Sequence, residues 1–335
     1  MRLFAASAAA LFLLAAGAAG LGERLRSVAA AYYAAAGKVE TQAGPDATMD
    51  YYQRLLDDAD LLTESAPASY PAPAWQSTVQ TAAQLDLSLA TQLLARSYQP
   101  MNAIRGLGET LVPASKDGTM QPVAVYVPSS YSPERPAPLV VFLHGRLQAE
   151  SHLLAPAFID EIAESTGTIV VAPYGRNAYD FRGAESDVYD AFDAAVKAFA
   201  IDPHRRYLAG YSMGGFSVFR LAPLHPNDWS AVMSIAGSLL SSRAPGVVSG
   251  LQHARFYVLT GARDDNVPTL HPTSTAIFLR DVGLPVTFYS QPDGTHTLYS
   301  LRSILAQAWS EMERGVVRLP TGLTGSADLP EAARQ

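Results

Sequence analysis

The sequence predicts an α/β fold, a three-layer sandwich in which helices cover both faces of a mostly parallel sheet, with an N-terminal helical extension before it. Three observations support this prediction. Beyond Arg105, short apolar runs alternate with helical patterns. These runs are apolar at consecutive positions, which is typical of parallel strands buried on both faces. A serine within a Gly-x-Ser-x-Gly pentapeptide, residues 210–214, separates one such run from the helical pattern that follows.

The composition excludes several classes of site. The 335 residues include 24 Lys and Arg against 31 Asp and Glu, a net charge of −7, so no basic surface for nucleic acid is expected. The chain contains no cysteine, which excludes thiolate metal sites, a cysteine nucleophile and a lipid-bearing cysteine. No two histidines share the helical spacing of a zinc site, so we expect neither a catalytic metal nor a cofactor.

Residues 1–22 have the order of features found in a secretory signal peptide. Arg2 is followed by an uncharged run rich in Ala and Leu, and the small residues at 16–18 offer a cleavage site. This order predicts a secreted or periplasmic protein. The alternative is an uncleaved membrane anchor, because the run is long enough to span a bilayer and Arg24 and Arg26 follow it directly.

Residues 23–104 are predicted to form a helical N-terminal extension. Apolar residues recur every three or four positions over 46–62 and again over 79–94, which indicates two amphipathic helices separated by the proline-rich stretch 66–74. We expect both helices to pack on each other and on the domain that follows.

Residues 105–318 are predicted to form the catalytic domain, followed by a disordered tail over 319–335. Two opening strands, 107–112 and 122–127, flank an Asp117-Gly118 turn and form a hairpin. The remaining strands are predicted at 139–143, 168–172, 207–209, 231–236, 256–259 and 286–290. Helical patterns follow several of these strands, at 188–199, 275–281 and 298–314.

Ser212 is the candidate nucleophile. It stands between a strand and a helix, where a sharp turn exposes the side chain and where glycine at 210 and 214 avoids collisions across the turn. Its hydroxyl requires a base and an acid that orients the base. In such folds the acid follows the serine along the chain, and the histidine base follows the acid. His296, on the loop after the last predicted strand, is the candidate base.

Three carboxylates compete for the role of the acid. Asp264 and Asp265 follow the strand at 256–259, and Asp293 lies only three residues before His296. We favour Asp264, since it stands closer to the end of its strand, and expect Asp265 to be a solvated turn residue.

The oxyanion hole is predicted from two backbone N–H groups. Arg146 follows the strand at 139–143, at the loop that contributes one such donor in this architecture, and Met213 directly follows the nucleophile. Tyr174, Arg176 and Tyr211 lie near predicted strand ends and are candidate substrate-binding residues.

Several segments resemble the α/β-hydrolase superfamily. They read PLVVFLHG, VVAPYGR, IDPHRRYLAGYSMGGFSVFRLA, GARDDNVP and GTH, in that order along the chain. The branch they resemble includes polyhydroxybutyrate-depolymerase-like and feruloyl-esterase-like enzymes and the catalytic domains of prolyl-oligopeptidase-type peptidases. In that family the acid commonly stands as Asp-x-x-Val-Pro, which matches Asp264. The resemblance implies a serine hydrolase of carboxylic esters with the triad Ser212, His296 and Asp264.

The substrate is expected to be an ester that is bulky or polymeric. The segment between the strands at 231–236 and 256–259 is too short for a large lid, which predicts an open site. The extension is also too short for the propeller of prolyl oligopeptidases, so ester hydrolysis is favoured over a peptidase activity by analogy of fold. A non-catalytic binding protein on the same fold is a third hypothesis.

Overall fold

The structure is a computed structural model that describes residues 20–35, 45–323 and 327–331, with the side chains of 45–50 left aside. The signal peptide or anchor predicted over residues 1–22 lies outside these residues except for its last three. Within the described ranges, no helix combines the length and the apolar character needed to cross a bilayer.

An eight-stranded, mostly parallel sheet forms the centre of the domain and confirms the predicted fold class. Its strands run in the spatial order β1-β2-β4-β3-β5-β6-β7-β8, with β1 and β2 antiparallel, β2 antiparallel to β4, and every later pairing parallel. The carboxyl ends of the parallel strands therefore meet at one edge of the sheet, where ligands bind in open α/β folds. The strands are β1 Gly106–Pro113, β2 Met120–Val127, β3 Ala137–Leu143, β4 Ile169–Pro173, β5 Ile201–Tyr211, β6 Ala231–Ile235, β7 Arg255–Gly261 and β8 Val286–Gln291.

Ten α-helices occur in the described residues. They are α1 Leu21–Ala34, α2 Pro45–Leu61, α3 Ala72–Ala95, α4 Glu150–Leu154, α5 Ala157–Thr166, α6 Glu185–Ala198, α7 Met213–Leu221, α8 Ala244–Gly250, α9 Leu270–Asp281 and α10 Arg302–Glu313. One hydrophobic core lies between the sheet and α6 to α9, and a second lies between the sheet and α4, α5 and α10. Successive residues of β3 alternate between the cores: Val141 belongs to the first, whereas Val140 and Phe142 belong to the second. This alternation explains why the strand is apolar throughout.

The N-terminal extension has three helices where the sequence predicted two. α1, α2 and α3 share a third hydrophobic core, which includes Leu25, Leu55 and Leu89 and reaches Leu111 of β1. The predicted proline-rich linker is shorter than expected because α3 already begins at Ala72. A proline fits there because the first turn of a helix does not need its N–H.

A buried ionic cluster, here called the Arg54 cluster, joins the extension to the domain. Arg54 of α2 contacts Asp86 of α3 and lies 2.9 Å from Glu150 of α4 and 3.5 Å from Glu109 of β1. All four side chains are at most 7% exposed. Burial, with the neighbouring Glu150 as the next cause, holds the pKa of Glu109 well above its usual range. A further contact extends the cluster: Nε2 of His152 lies 2.9 Å from Oδ1 of Asp58.

The described residues of the tail lie against the domain. Over 319–323 and 327–331 they form no helix or strand. Leu323 and Leu329 nevertheless pack on the first core, and the carbonyl of Pro330 accepts a hydrogen bond of 3.0 Å from the N–H of Ser241. The sequence predicted a disordered tail over 319–335. The described residues of this tail make at least these two apolar contacts with the domain.

Candidate active site

Ser212 occupies the turn between β5 and α7 in a strained backbone conformation. Its φ of +52° lies in the left-handed region, which is unusual for a residue other than glycine and frequent at functional sites. A Cβ at Gly210 would stand 2.2 Å from the carbonyl oxygen of Gly214, and one at Gly214 would stand 2.3 Å from that of Leu143. The turn can therefore close only with glycine at both positions.

The structure places His296 within hydrogen-bond distance of Ser212. The Oγ of Ser212 lies 2.8 Å from Nε2 of His296, whose Nδ1 lies 2.8 Å from Oδ2 and 3.0 Å from Oδ1 of Asp264. The three residues follow β5, β7 and β8, so the parallel sheet brings their loops to one edge. The phenol of Tyr211 donates a hydrogen bond to the carbonyl of His296, which further fixes this loop.

Asp264 is the carboxylate that faces the imidazole. Its side chain is buried, and Oδ1 also accepts hydrogen bonds from the backbone N–H groups of Asn266 at 2.9 Å and Val267 at 2.8 Å. These contacts fix the carboxylate in place. Asp265 is exposed, and Asp293 forms a surface ion pair with Arg263, so neither competing carboxylate contacts His296.

The predicted oxyanion donors lie on the loops that flank Ser212. Met213 is the first residue of α7, so its N–H has no acceptor within the helix. Arg146 follows β3, and the N–H of Gly214 bonds the carbonyl of His144 at 3.1 Å, which holds the two loops together. Both ring nitrogens of His144 face carbonyls, those of Gly145 and Tyr174, and burial lowers the pKa of His144. Because the ring is buried and both of its nitrogens are directed at backbone carbonyls, His144 shapes this loop.

An open cavity of about 300 Å³, here called the cleft, borders the loops of the candidate site, although none of Ser212, His296 and Asp264 lines it. Tyr211 lines it, as do Thr297 and Leu298 after His296, and Leu147 and Gln148 after Arg146. The cleft thus adjoins the base, the nucleophile turn and the oxyanion loop. Six residues of the extension line the opposite wall, and sequence reasoning missed them all: Leu61, Pro67, Tyr70, Trp75, Thr78 and Val79.

Of the three predicted substrate-binding residues, only Tyr211 lines the cleft among the described residues. Tyr174 is buried, with its ring 5.2 Å from the Arg54 guanidinium. The guanidinium of Arg176 bonds Asp117 and Asp187 at 2.5 and 2.6 Å, which draws it toward the β1–β2 hairpin. The substrate-binding roles of Tyr174 and Arg176 stay predictions, because position near a strand end does not fix the direction of a side chain.

Two groups of described side chains have a geometry that could hold a metal ion, and both include Asp86. They are Asp58 with Asp86 and His152, and Asp86 with Glu109 and Glu150. Both belong to the Arg54 cluster, where the guanidinium already provides a cation, and neither adjoins the triad.

Comparison with known proteins relates the chain to esterases. A family described as "Putative esterase" matches residues 118–265. The chain is 26% identical over 226 residues to a bifunctional acetylxylan esterase/xylanase of Neocallimastix patriciarum, covering 65% of this chain and 32% of the relative. It is 27% identical over 183 residues to "Probable feruloyl esterase C" of Aspergillus oryzae, covering 51% and 66%. The chain thus spans about a third of the length of the first relative and about two thirds of the length of the second.

Solved structures agree in fold. A ferulic acid esterase superposes with a TM-score of 0.54 at 19% identity, covering 62% of this chain and 97% of the other. The sequence matches are to proteins named as esterases, and the superposed structure is that of an esterase. The chain therefore has the fold of these esterase structures and resembles, in sequence, proteins named as esterases.

Proposed function

We propose that the protein is a serine hydrolase that cleaves carboxylic esters through an acyl-enzyme intermediate. The hydrogen-bonded series Ser212, His296 and Asp264 carries this proposal, because it joins a nucleophile, a base and an orienting acid at distances of 2.8 Å. The match to an esterase family and to relatives named as esterases supports the ester as the substrate.

In the acylation step, the Oγ of Ser212 attacks the ester carbonyl carbon as its proton passes to Nε2 of His296. Asp264 accepts the Nδ1–H bond and stabilises the imidazolium. The N–H groups of Arg146 and Met213 stabilise the negative charge on the carbonyl oxygen. The tetrahedral intermediate then collapses, the bond to the alcohol oxygen breaks, and His296 returns the proton to that oxygen.

In the deacylation step, water replaces the alcohol. His296 removes a proton from the water as its oxygen attacks the acyl carbon, and then protonates Oγ of Ser212 as the ester bond to the enzyme breaks. The carboxylic acid leaves and the enzyme is restored. A helix that begins directly after Ser212 places the positive end of its dipole at the reacting carbon in both steps.

The test is hydrolysis of para-nitrophenyl acetate by the purified protein. Ser212→Ala should lower kcat by at least about a thousandfold, and His296→Ala should do so comparably, because triad members act as one unit. Ser249→Ala, at an exposed serine of α8, serves as the matched control. Full activity in the Ser212→Ala protein would overturn the proposal. Cleavage of an amide substrate faster than the matching ester would replace the esterase by a peptidase.

We also propose export of the enzyme, from the leader-like order of residues 1–22. The N-terminal sequence of protein recovered from the medium or periplasm of an expressing bacterium tests this. Cleavage near residue 18 is expected, and retention of the whole leader in the membrane fraction would favour the anchor.

A further inference from the structure

The extension contacts the loop that bears the proposed catalytic base. Ser69 Oγ lies 3.1 Å from Thr297 Oγ1, next to His296. The ring of Tyr70 packs on that of Tyr299 with centroids 4.5 Å apart and planes inclined by 32°. Residues 67–79 therefore form one wall of the cleft.

Aromatic rings dominate the part of the cleft between the extension and the domain. Trp75 packs edge-on against Tyr70 at 5.6 Å, and Tyr211 lies on the side of the nucleophile. Tyr70 is fixed in turn, because its hydroxyl lies 2.9 Å from Oγ1 of Thr78. Rings held in fixed positions favour an offset-stacked or edge-on contact with another ring.

The lining of the cleft offers little to pair with an ionic substituent. Among the described residues that line the cleft there is no Lys, Arg, Asp or Glu. Its one titratable imidazole, His152, is paired with Asp58 at 2.9 Å. This surface therefore favours an uncharged, apolar ligand.

We propose that the extension provides a specificity wall, in which Trp75 and Tyr70 bind a neutral, flat ring on the substrate of Ser212. This inference rests on the proposed function, since it places the ring of an ester whose carbonyl meets the triad. The volume of about 300 Å³ is at the lower end of the range for small-molecule sites, so one ring and a short connection fill it.

Kinetics with three neutral esters test this inference. Ethyl acetate has no ring, ethyl para-nitrophenylacetate has one on the acyl side, and para-nitrobenzyl acetate has one on the alcohol side. The kcat/KM of the better ring ester, divided by that of ethyl acetate, should fall about tenfold or more in Trp75→Ala, because a stacked ring is lost. Trp75→Phe should keep most of the ratio. A ratio within twofold of the wild-type value for both ring esters in Trp75→Ala would overturn the inference.

A matched control lies on the same extension. Tyr33 of α1 is 52% exposed and does not line the cleft, so Tyr33→Ala should leave the ratio unchanged. An equal fall in Tyr33→Ala would show a general loss of the extension's structure rather than a lost contact, and would also overturn the inference.

Fluorescence measures binding without catalysis. Of the three tryptophans of the chain, Trp229 and Trp309 are fully buried, so the emission of Trp75 responds most to an occupant of the cleft. In the Ser212→Ala protein, ethyl para-nitrophenylacetate should quench this emission saturably, and the additional Trp75→Phe substitution should remove most of the quenching. If the ester does not quench the emission while the wild-type protein hydrolyses esters normally, the ring-binding wall is refuted and the proposed function stands. If the ester quenches the emission but the Ser212→Ala protein is fully active, Ser212 is refuted as the nucleophile and the wall stands.

Discussion

Substitution of Arg54 by methionine is expected to destabilise the protein strongly. Met keeps much of the apolar volume but removes the guanidinium from a site where Asp86, Glu109 and Glu150 converge. All three carboxylates are buried and would lose the one permanent cation of the Arg54 cluster. An unpaired buried charge is much more costly than an unpaired charge at the surface.

The magnitude follows from the burial. Removal of one partner of a buried ion pair costs about 3 to 5 kcal/mol. With a shift of about 2 to 4 °C per kcal/mol for a large domain, the melting temperature should fall by roughly 6 to 20 °C. Burial already raises the pKa values of Asp86 and Glu109, so protons can neutralise them as the pH falls. The fall in melting temperature caused by Arg54→Met should therefore be larger at pH 8 than at pH 5.

Differential scanning calorimetry at both pH values provides the measurement, with Arg26→Met as the control. Arg26 also pairs with an aspartate, Asp60, but both side chains are at least half exposed, so its loss should cost at most about 1 kcal/mol. If the Arg54→Met and Arg26→Met proteins have equal melting temperatures at pH 8, the Arg54 cluster is not the contact that holds the extension on the domain.

Three further predictions concern single residues. Asp264→Asn should lower the ester kcat by at least a thousandfold, whereas Asp265→Asn should change it less than twofold, and the reverse ranking would transfer the role of the acid. Gly214→Ala should lower both melting temperature and ester rate, because its methyl group would stand 2.3 Å from the Leu143 carbonyl oxygen, and unaltered values would contradict the close approach. Burial raises the pKa of Asp160 to about 7, so the native state is destabilised as the pH rises from about 4 through 7. Asp160→Asn should therefore raise the melting temperature at pH 8.5 but not at pH 4, and a shift that is equal at both would exclude this titration.

Much of the fold could be predicted because its pattern is local. The strand predicted at 139–143 is observed at 137–143, and the hairpin around Asp117-Gly118 forms as expected, since runs of apolar residues and turn glycines act through near neighbours. The helices α4 and α5 were missed, because each is short and the first has only five residues.

The loops of the candidate site followed from chain order alone, because parallel strands bring their carboxyl ends to one edge. The directions of individual side chains did not follow. The guanidinium of Arg176 is held by Asp117 and Asp187, and its spacing along the chain does not predict either contact. The wall formed by Tyr70 and Trp75 depends on the packing of the extension across the domain, which no periodicity within the extension records.

Acylation of Ser212 is tested most directly by a fluorophosphonate and mass spectrometry of the intact and digested protein. One adduct per chain is expected, on the peptide that contains Ser212, and the Ser212→Ala and His296→Ala proteins should remain unlabelled on the same timescale. Stoichiometric labelling of a different residue, or no labelling of a folded protein that hydrolyses esters, would contradict Ser212 as the nucleophile.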